Sequence, residues 1–392
     1  MKFYLTDMGL VNGLGEGKAG VSKALFAGAR AFQPCDWVAD KPTYVSAVTA
    51  SLPELPSELA EFNSRNARLA YSAISQLQNT LAQVRARYAP SRIAVVAGTS
   101  TSGIAEGEAA VAAHTKGEPI PADYHYHAQE IGNLGPLVAQ LCGAEGPAYT
   151  LSTACSSSAH ALASARRLLA ANMADAVIAG GSDSLCRLTV NGFAALDSVS
   201  SGVCSPFSEG RDGINIGEAA AFFLVTREPI LHRVELLGVG ASSDAYHISA
   251  PDPQGKGAEA AIRMALQQAN LEPCAVDYVN LHGTGTPLND AMEAGIIDRL
   301  FPHRPWCSSS KGQLGHTLGA AGATEAALIW LALTNGDGKL PPHCFDGHYD
   351  PSLPSLNLVP TGGKAEPGAQ VCLSNSFAFG GNNAAVILHA GH

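Results

Sequence analysis

One pattern constrains this chain more than any other. Short apolar strands flanked by glycine alternate with helices, and the alternation starts again past the middle. "RIAVVAG" (92–98), "AYTLST" (148–153), "ADAVIAGG" (174–181) and "AAFFLVT" (220–226) are brief and apolar on both faces, as in a sheet covered on both sides. Ser64 can cap a helix whose apolar residues Ala70, Ile74, Leu77, Leu81 and Val84 share one face. An alanine-rich helix follows over 156–170. After about residue 230 come strand 233–242, helix 258–270, strand 276–283, a helix apolar almost all round at 322–333, and strands 369–376 and 384–390. The pattern predicts an α/β fold of two similar halves, 1–230 and 231–392, with helices buried between two sheets.

Composition narrows the function. Of 392 residues, 46% are hydrophobic and 15% charged, enough for large cores. A net charge of −10 argues against general binding to nucleic acid or anionic membrane. The first residues lack the apolar stretch of a signal peptide, and no run approaches a membrane span, so the expected location is the cytoplasm. The nine cysteines then read as thiols. Neither CxxC nor HExxH occurs, and no metal is expected.

Chemistry points to strand ends. In "STACSSSAHA" (152–161), Cys155 falls between a strand and a helix N-terminus, where free N–H groups favour a thiolate or an oxyanion. On spacing alone, a small buried packing thiol fits as well. His282 ends strand "YVNL" before the loop "GTGTP", which lacks phosphate-loop spacing but offers Thr284 and Thr286 hydroxyls. His316 lies in "SSSKGQLGHTLGAAGATE" ahead of the apolar helix. His160, five residues past Cys155, points away from the thiol on a helix. "NSFAFGGNN" sets Phe377 and Phe379 before two glycines, either as core aromatics on a turn or as a gate with an N–H near Phe379 facing an oxyanion.

In order along the chain, "STACSSS", "RDGINIGEAAA", "SSDAYH", "NLHGTGTPLNDAME", "SSSKGQLGHTLGAAGATE" and "NSFAFGGNN" resemble the β-ketoacyl-acyl carrier protein synthases of the thiolase superfamily. The resemblance implies a thiolase-like αβαβα layered fold and a decarboxylative condensation in fatty acid or polyketide synthesis, including the aryl-polyene type. It implies Cys155 as nucleophile, and His282 and His316 as the pair that assists malonyl decarboxylation. Lys311 would organise the site, paired with Glu325, and Asp290 would support it. Thr284 and Thr286 would contact a phosphopantetheine arm. The N–H groups of Cys155 and Phe379 would form the oxyanion hole, with Phe377 and Phe379 at the gate.

The implied partners are an acyl carrier protein and a second subunit, either a copy of the chain or a paralogous ketosynthase or chain-length factor. No cofactor is implied beyond the carrier's phosphopantetheine. An alternative is a chain-length-factor-like subunit that shapes a paralogue's pocket, against which Cys155 argues. The chain departs from fatty-acid synthases at Ala378 and Asn382. Leu196 and Asp197 stand where many relatives carry a basic carrier contact, leaving Arg65, Arg68, Arg166 and Arg167 as alternatives.

Overall fold

A computed structural model describes residues 1–39, 41–363 and 368–391. Its main sheet has twelve strands, ten of them one five-strand order used twice, with Asn357–Leu358 added at the C-terminal edge and Gly15–Glu16 paired beside Tyr4–Asn12. In the N-terminal half the order is Ala148–Leu151, Ile93–Gly98, Ala176–Asp183, Ala219–Thr226, Tyr4–Asn12. In the C-terminal half it is Trp306–Ser308, Tyr278–Asn280, Val371–Phe377, Asn382–Ala390, Val234–Ser243. In each half the first two junctions are parallel and the last two antiparallel. A short antiparallel pairing, Tyr4 with Glu235 and Leu5 with Val234, joins the halves.

Side-chain alternation explains the layering. On strand Ala219–Thr226, Ala221, Phe223 and Val225 enter the central core, while Ala220, Phe222 and Leu224 enter an outer one. On strand Asn382–Ala390, Ala384, Val386 and Leu388 face the centre, and Ala385 and Ile387 face a third core. Both faces of such a strand are therefore buried along most of its length, which produces the continuous apolar runs.

Two helices fill the centre, Ser157–Ala170 and Ala321–Asn335. A Cβ added at Gly322 would stand 2.8 Å from the Ala159 nitrogen, so these helices touch backbone to backbone. Helices Arg65–Ser75 and Leu134–Cys142 cover one outer face, and Lys256–Ala269 and Pro287–Leu300 the other. The result is the expected αβαβα stack.

Two local features differ from expectation. The helix after Ser64 does start there, with the Ser64 hydroxyl accepting from the Ala67 N–H at 3.1 Å. It is not continuous to Val84: it ends at Ser75, and a second helix runs Gln78–Arg87. Gln76 at the break spends its amide on the backbone of Leu10, giving and receiving one bond of 3.1 Å each. Strand Tyr4–Asn12, which joins the halves, carries no period the sequence reading picked out. Cys372 lies in the central core, as packing. Among the described residues no helix is long and apolar enough to cross a membrane.

Candidate active site

Cys155 sits one residue before the Ser156 cap of helix Ser157–Ala170. The turn is tight because Ala154 takes a left-handed φ of +50°. Hydroxyls hold it: Ser157 Oγ accepts from the Thr153 N–H at 2.9 Å and donates to the Ala154 carbonyl at 2.6 Å, and Ser156 Oγ donates to the Thr153 carbonyl at 2.8 Å. This is why a run of serines follows the cysteine. The thiol is 5% exposed. Burial pushes it up to about 11, although the Lys311 cation and the backbone N–H groups of Phe379 and Cys155 pull the other way. The pull toward a thiolate expected at this strand-to-helix turn is present, but burial outweighs it. At neutral pH the sulfur is protonated, and attack needs a base to take its proton.

Both predicted histidines reach the same cavity as Cys155. Their rings meet edge to face with centroids 5.4 Å apart. Burial first, then the charge of Lys311, holds each well below its usual range, so both are neutral. His316 is oriented by its backbone: its N–H donates to the Asn215 carbonyl at 2.7 Å, and its carbonyl accepts from the Gly217 N–H at 2.9 Å. The Leu318 N–H donates to His316 Nδ1 at 3.3 Å. Nδ1 is thus an acceptor, and the proton must sit on Nε2, which is buried without a partner among the described residues. His316 therefore presents an N–H donor. His282 Nδ1 is likewise buried without a partner there. His160 is absent from the residues lining this cavity.

Lys311 and Glu325 form a buried ion pair, 1% and 2% exposed. They do not line the cavity; Lys311 acts on the thiol and both imidazoles through its field. Asp290 is also set back. Its carboxylate accepts from the Phe207 N–H at 2.8 Å and the Gly285 N–H at 3.2 Å, clamping the "GTGTP" loop. On that loop Thr284 and Thr286 share a 2.8 Å hydroxyl bond, and both line the cavity. Phe377 stands 5.9 Å from His282, centroid to centroid, and Phe379 5.4 Å from Phe193. The Phe379 turn is completed by Gly380 and Gly381, with φ of +80° and +76°.

Two buried carboxylates escaped the sequence reading. Glu293 accepts from the N–H groups of His282 and Gly283 at 2.8 and 2.7 Å and from Asn375 Nδ2 at 3.0 Å. Burial raises it to about 7. Its position three residues after Asp290 on one helix was the available signal. Asp183 ends strand Ala176–Asp183 and accepts from the amides of Ser100, Thr101 and Gly319 and from the hydroxyls of Thr99, Ser100 and Thr101. It bolts a loop of the first half to the His316 turn of the second.

The basic alternatives are mostly engaged. Arg65 is paired with buried Glu218, Arg68 with Glu54, and Arg166 lies over Phe3 at 5.0 Å; Arg167 alone of the four is plainly exposed. All nine cysteines are free. Among the described residues no cluster of three or more His, Cys, Asp or Glu could hold a metal ion.

The duplicated αβαβα architecture, with a cysteine at one strand-to-helix turn and histidines at the loops of the other half, is thiolase-like. Residues 18–229 match the model of the beta-ketoacyl synthase N-terminal domain, and residues 233–344 that of its C-terminal domain. A 3-oxoacyl-[acyl-carrier-protein] synthase 2 of Coxiella burnetii is 31% identical over 99% of this chain and 98% of its own. One of Rhizobium meliloti is 39% identical over 63% of this chain and 62% of its own length. A solved ketosynthase in complex with its chain length factor from Xenorhabdus doucetiae is 44% identical, with a TM-score of 0.95 over 100% of this chain and 98% of that one. The chain belongs to the beta-ketoacyl synthase family.

Proposed function

We propose that the protein is a condensing acyltransferase that joins a Cys155-bound acyl chain to a malonyl unit on an acyl carrier protein. The observation that carries this is the convergence on one cavity of a thiol facing two N–H groups with two neutral imidazoles. Cys155 gives up its S–H proton as its sulfur attacks the acyl thioester carbonyl; the new C–S bond replaces the old, and the proton ends on the carrier thiol that leaves. The N–H groups of Cys155 and Phe379 stabilise the tetrahedral oxyanion. The malonyl unit then loses carbon dioxide, and its electron pair passes to an enolate whose oxygen accepts from His316 Nε2–H and from His282. Neutral imidazoles suit this step, since each offers an N–H without the ready proton of an imidazolium, which would quench the enolate before it attacks. The enolate carbon attacks the acyl-Cys carbonyl, a C–C bond forms, and the Cys155 C–S bond breaks with its electron pair returning to sulfur, which takes up a proton from water to restore the thiol. Thr284 and Thr286 hydroxyls hold the amide-rich pantetheine arm. Lys311, held by Glu325, adds to the burial that keeps the imidazoles neutral.

The protein needs no resident cofactor in this scheme. Its second subunit is a paralogous chain, a reading supported by its likeness to a ketosynthase solved with a chain length factor. That likeness and the departures at Ala378 and Asn382 favour secondary-metabolite assembly, of polyketide or aryl-polyene type, over housekeeping fatty acid synthesis. The cytoplasm is the proposed location. Acyl-loaded and malonyl-loaded carrier, mixed with the protein, should give 3-oxoacyl-carrier by intact mass. Thioester hydrolysis without malonyl consumption would reject the proposal.

A further inference from the structure

The mouth of the Cys155 cavity has an unusual chemistry for a surface that must receive a carrier. The described residues lining the cavity include three aspartates, Asp197, Asp212 and Asp244, and neither lysine nor arginine. Around them three large aliphatic side chains stand in solvent on three separate elements. Leu196, just past helix Arg187–Ala194, is 53% exposed; Leu288, at the start of helix Pro287–Leu300, is 61%; Ile248, on the loop after strand Val234–Ser243, is 80%. Single exposed aliphatics are ordinary, but Leu196 and Leu288 both line this one cavity, and Ile248 adjoins its lining residues Ser249 and Ala250, so together they mark a contact surface.

The rim is also coupled to the site. The Gly380 N–H donates to the Ile248 carbonyl at 2.8 Å, and the Asp244 N–H donates to the Gly381 carbonyl at 2.9 Å. The Ile248 loop is thereby fastened to the turn that presents the Phe379 N–H to Cys155. A body pressing on Ile248 bears on that turn.

We infer that Leu196, Leu288 and Ile248 form the docking surface for the carrier protein, and that the carrier is held there by apolar contact, not by charge pairing. This rests on the condensing-enzyme reading, because the arm that reaches Cys155 must pass this rim and its protein must sit over it. The carboxylates of the mouth choose the partner further: a carrier whose contact face is strongly acidic is repelled, whereas one with an apolar or neutral face fits.

The test compares malonyl loaded on its host's acyl carrier proteins, one at a time, with malonyl on free pantetheine. Leu196→Glu and Ile248→Glu, singly and together, are measured alongside the parent. The expected result is a KM for the carrier substrate raised by ~10-fold or more, the loss typical of a central interface side chain. The KM for the pantetheine substrate should rise by far less than that for the carrier substrate, because only the carrier's protein body covers these exposed side chains. Raising the salt should leave the parent's carrier KM flat or lower it, since screening removes only repulsion. A carrier KM unmoved by the substitutions overturns the proposal. So does one that climbs steeply with salt, or a shift in oligomeric state on native mass spectrometry with carrier KM unchanged. If the parent turns over the pantetheine substrate but gains nothing from any carrier, the rim proposal fails and the condensing reading stands. If the parent turns over neither, the condensing reading itself fails.

Discussion

Asp183 gives the most quantitative consequence of the site's architecture. Replacing it with alanine removes the acceptor for six donors from the junction of the two halves. The three hydroxyls can turn elsewhere. The Gly319 N–H keeps a weaker acceptor, Ser100 Oγ at 3.3 Å. The amides of Ser100 and Thr101 lose the acceptor they share, which bonded them at 2.8 and 3.0 Å. An orphaned buried amide costs about 1–3 kcal/mol, so the pair costs about 3 kcal/mol with water partly admitted. At roughly 1.4 kcal/mol per factor of ten, that is about 100-fold faster local exchange. Hydrogen exchange by mass spectrometry should show this in peptides covering residues 99–104 and 317–322, while the far end of the Ala176–Asp183 strand stays protected. Because the His316 turn loosens, malonyl decarboxylation should fall more than acylation of Cys155. Protection in both peptides within about twofold of the parent would refute the reasoning.

Other outcomes follow from the same groups. Glu293 rises from its ordinary range to about 7 in the fold. The folded state therefore binds more protons than the unfolded chain between about pH 4.5 and 7, so stability falls as pH rises through that window, by about 3 kcal/mol. Glu293→Gln should flatten this part of a urea-midpoint-against-pH curve. A Cys155 thiol at about 11 should alkylate with iodoacetamide about tenfold faster per pH unit from 7 to 10, and a plateau near neutrality would contradict the buried protonated thiol. Gly322→Ala would drive a methyl into the Ala159 backbone and should lower urea stability by about 1–3 kcal/mol; no loss would mean the central helices can part freely.

Much of the fold was readable because its strands are buried on both faces and its helices on one, so period and run length separate them. Cys155, His282, His316, Lys311 and Glu325 were each marked by strand-end position or by motif, and the structure gathers them around one site. What escaped depends on partners distant in sequence. The helix after Ser64 breaks because Gln76 binds Leu10, sixty-six residues away. Asp183 reads as an ordinary strand end until the loops at Ser100 and Gly319 are brought to it. Arg65 and Arg166 look like surface cations, yet Glu218 and the Phe3 ring claim them. The strand Tyr4–Asn12 carries the join between halves, and its irregular register at Leu5–Asp7 blurs any two-residue period.

The central claim is that Cys155 carries the growing acyl chain. Incubation with acyl-carrier alone, followed by proteolysis and peptide mass mapping, tests it most directly. The account predicts an acyl adduct on Cys155, discharged as 3-oxoacyl-carrier when malonyl-carrier is added, and neither adduct nor product from Cys155→Ala. Condensation product from Cys155→Ala, or an acyl group found on another of the nine cysteines, would contradict it.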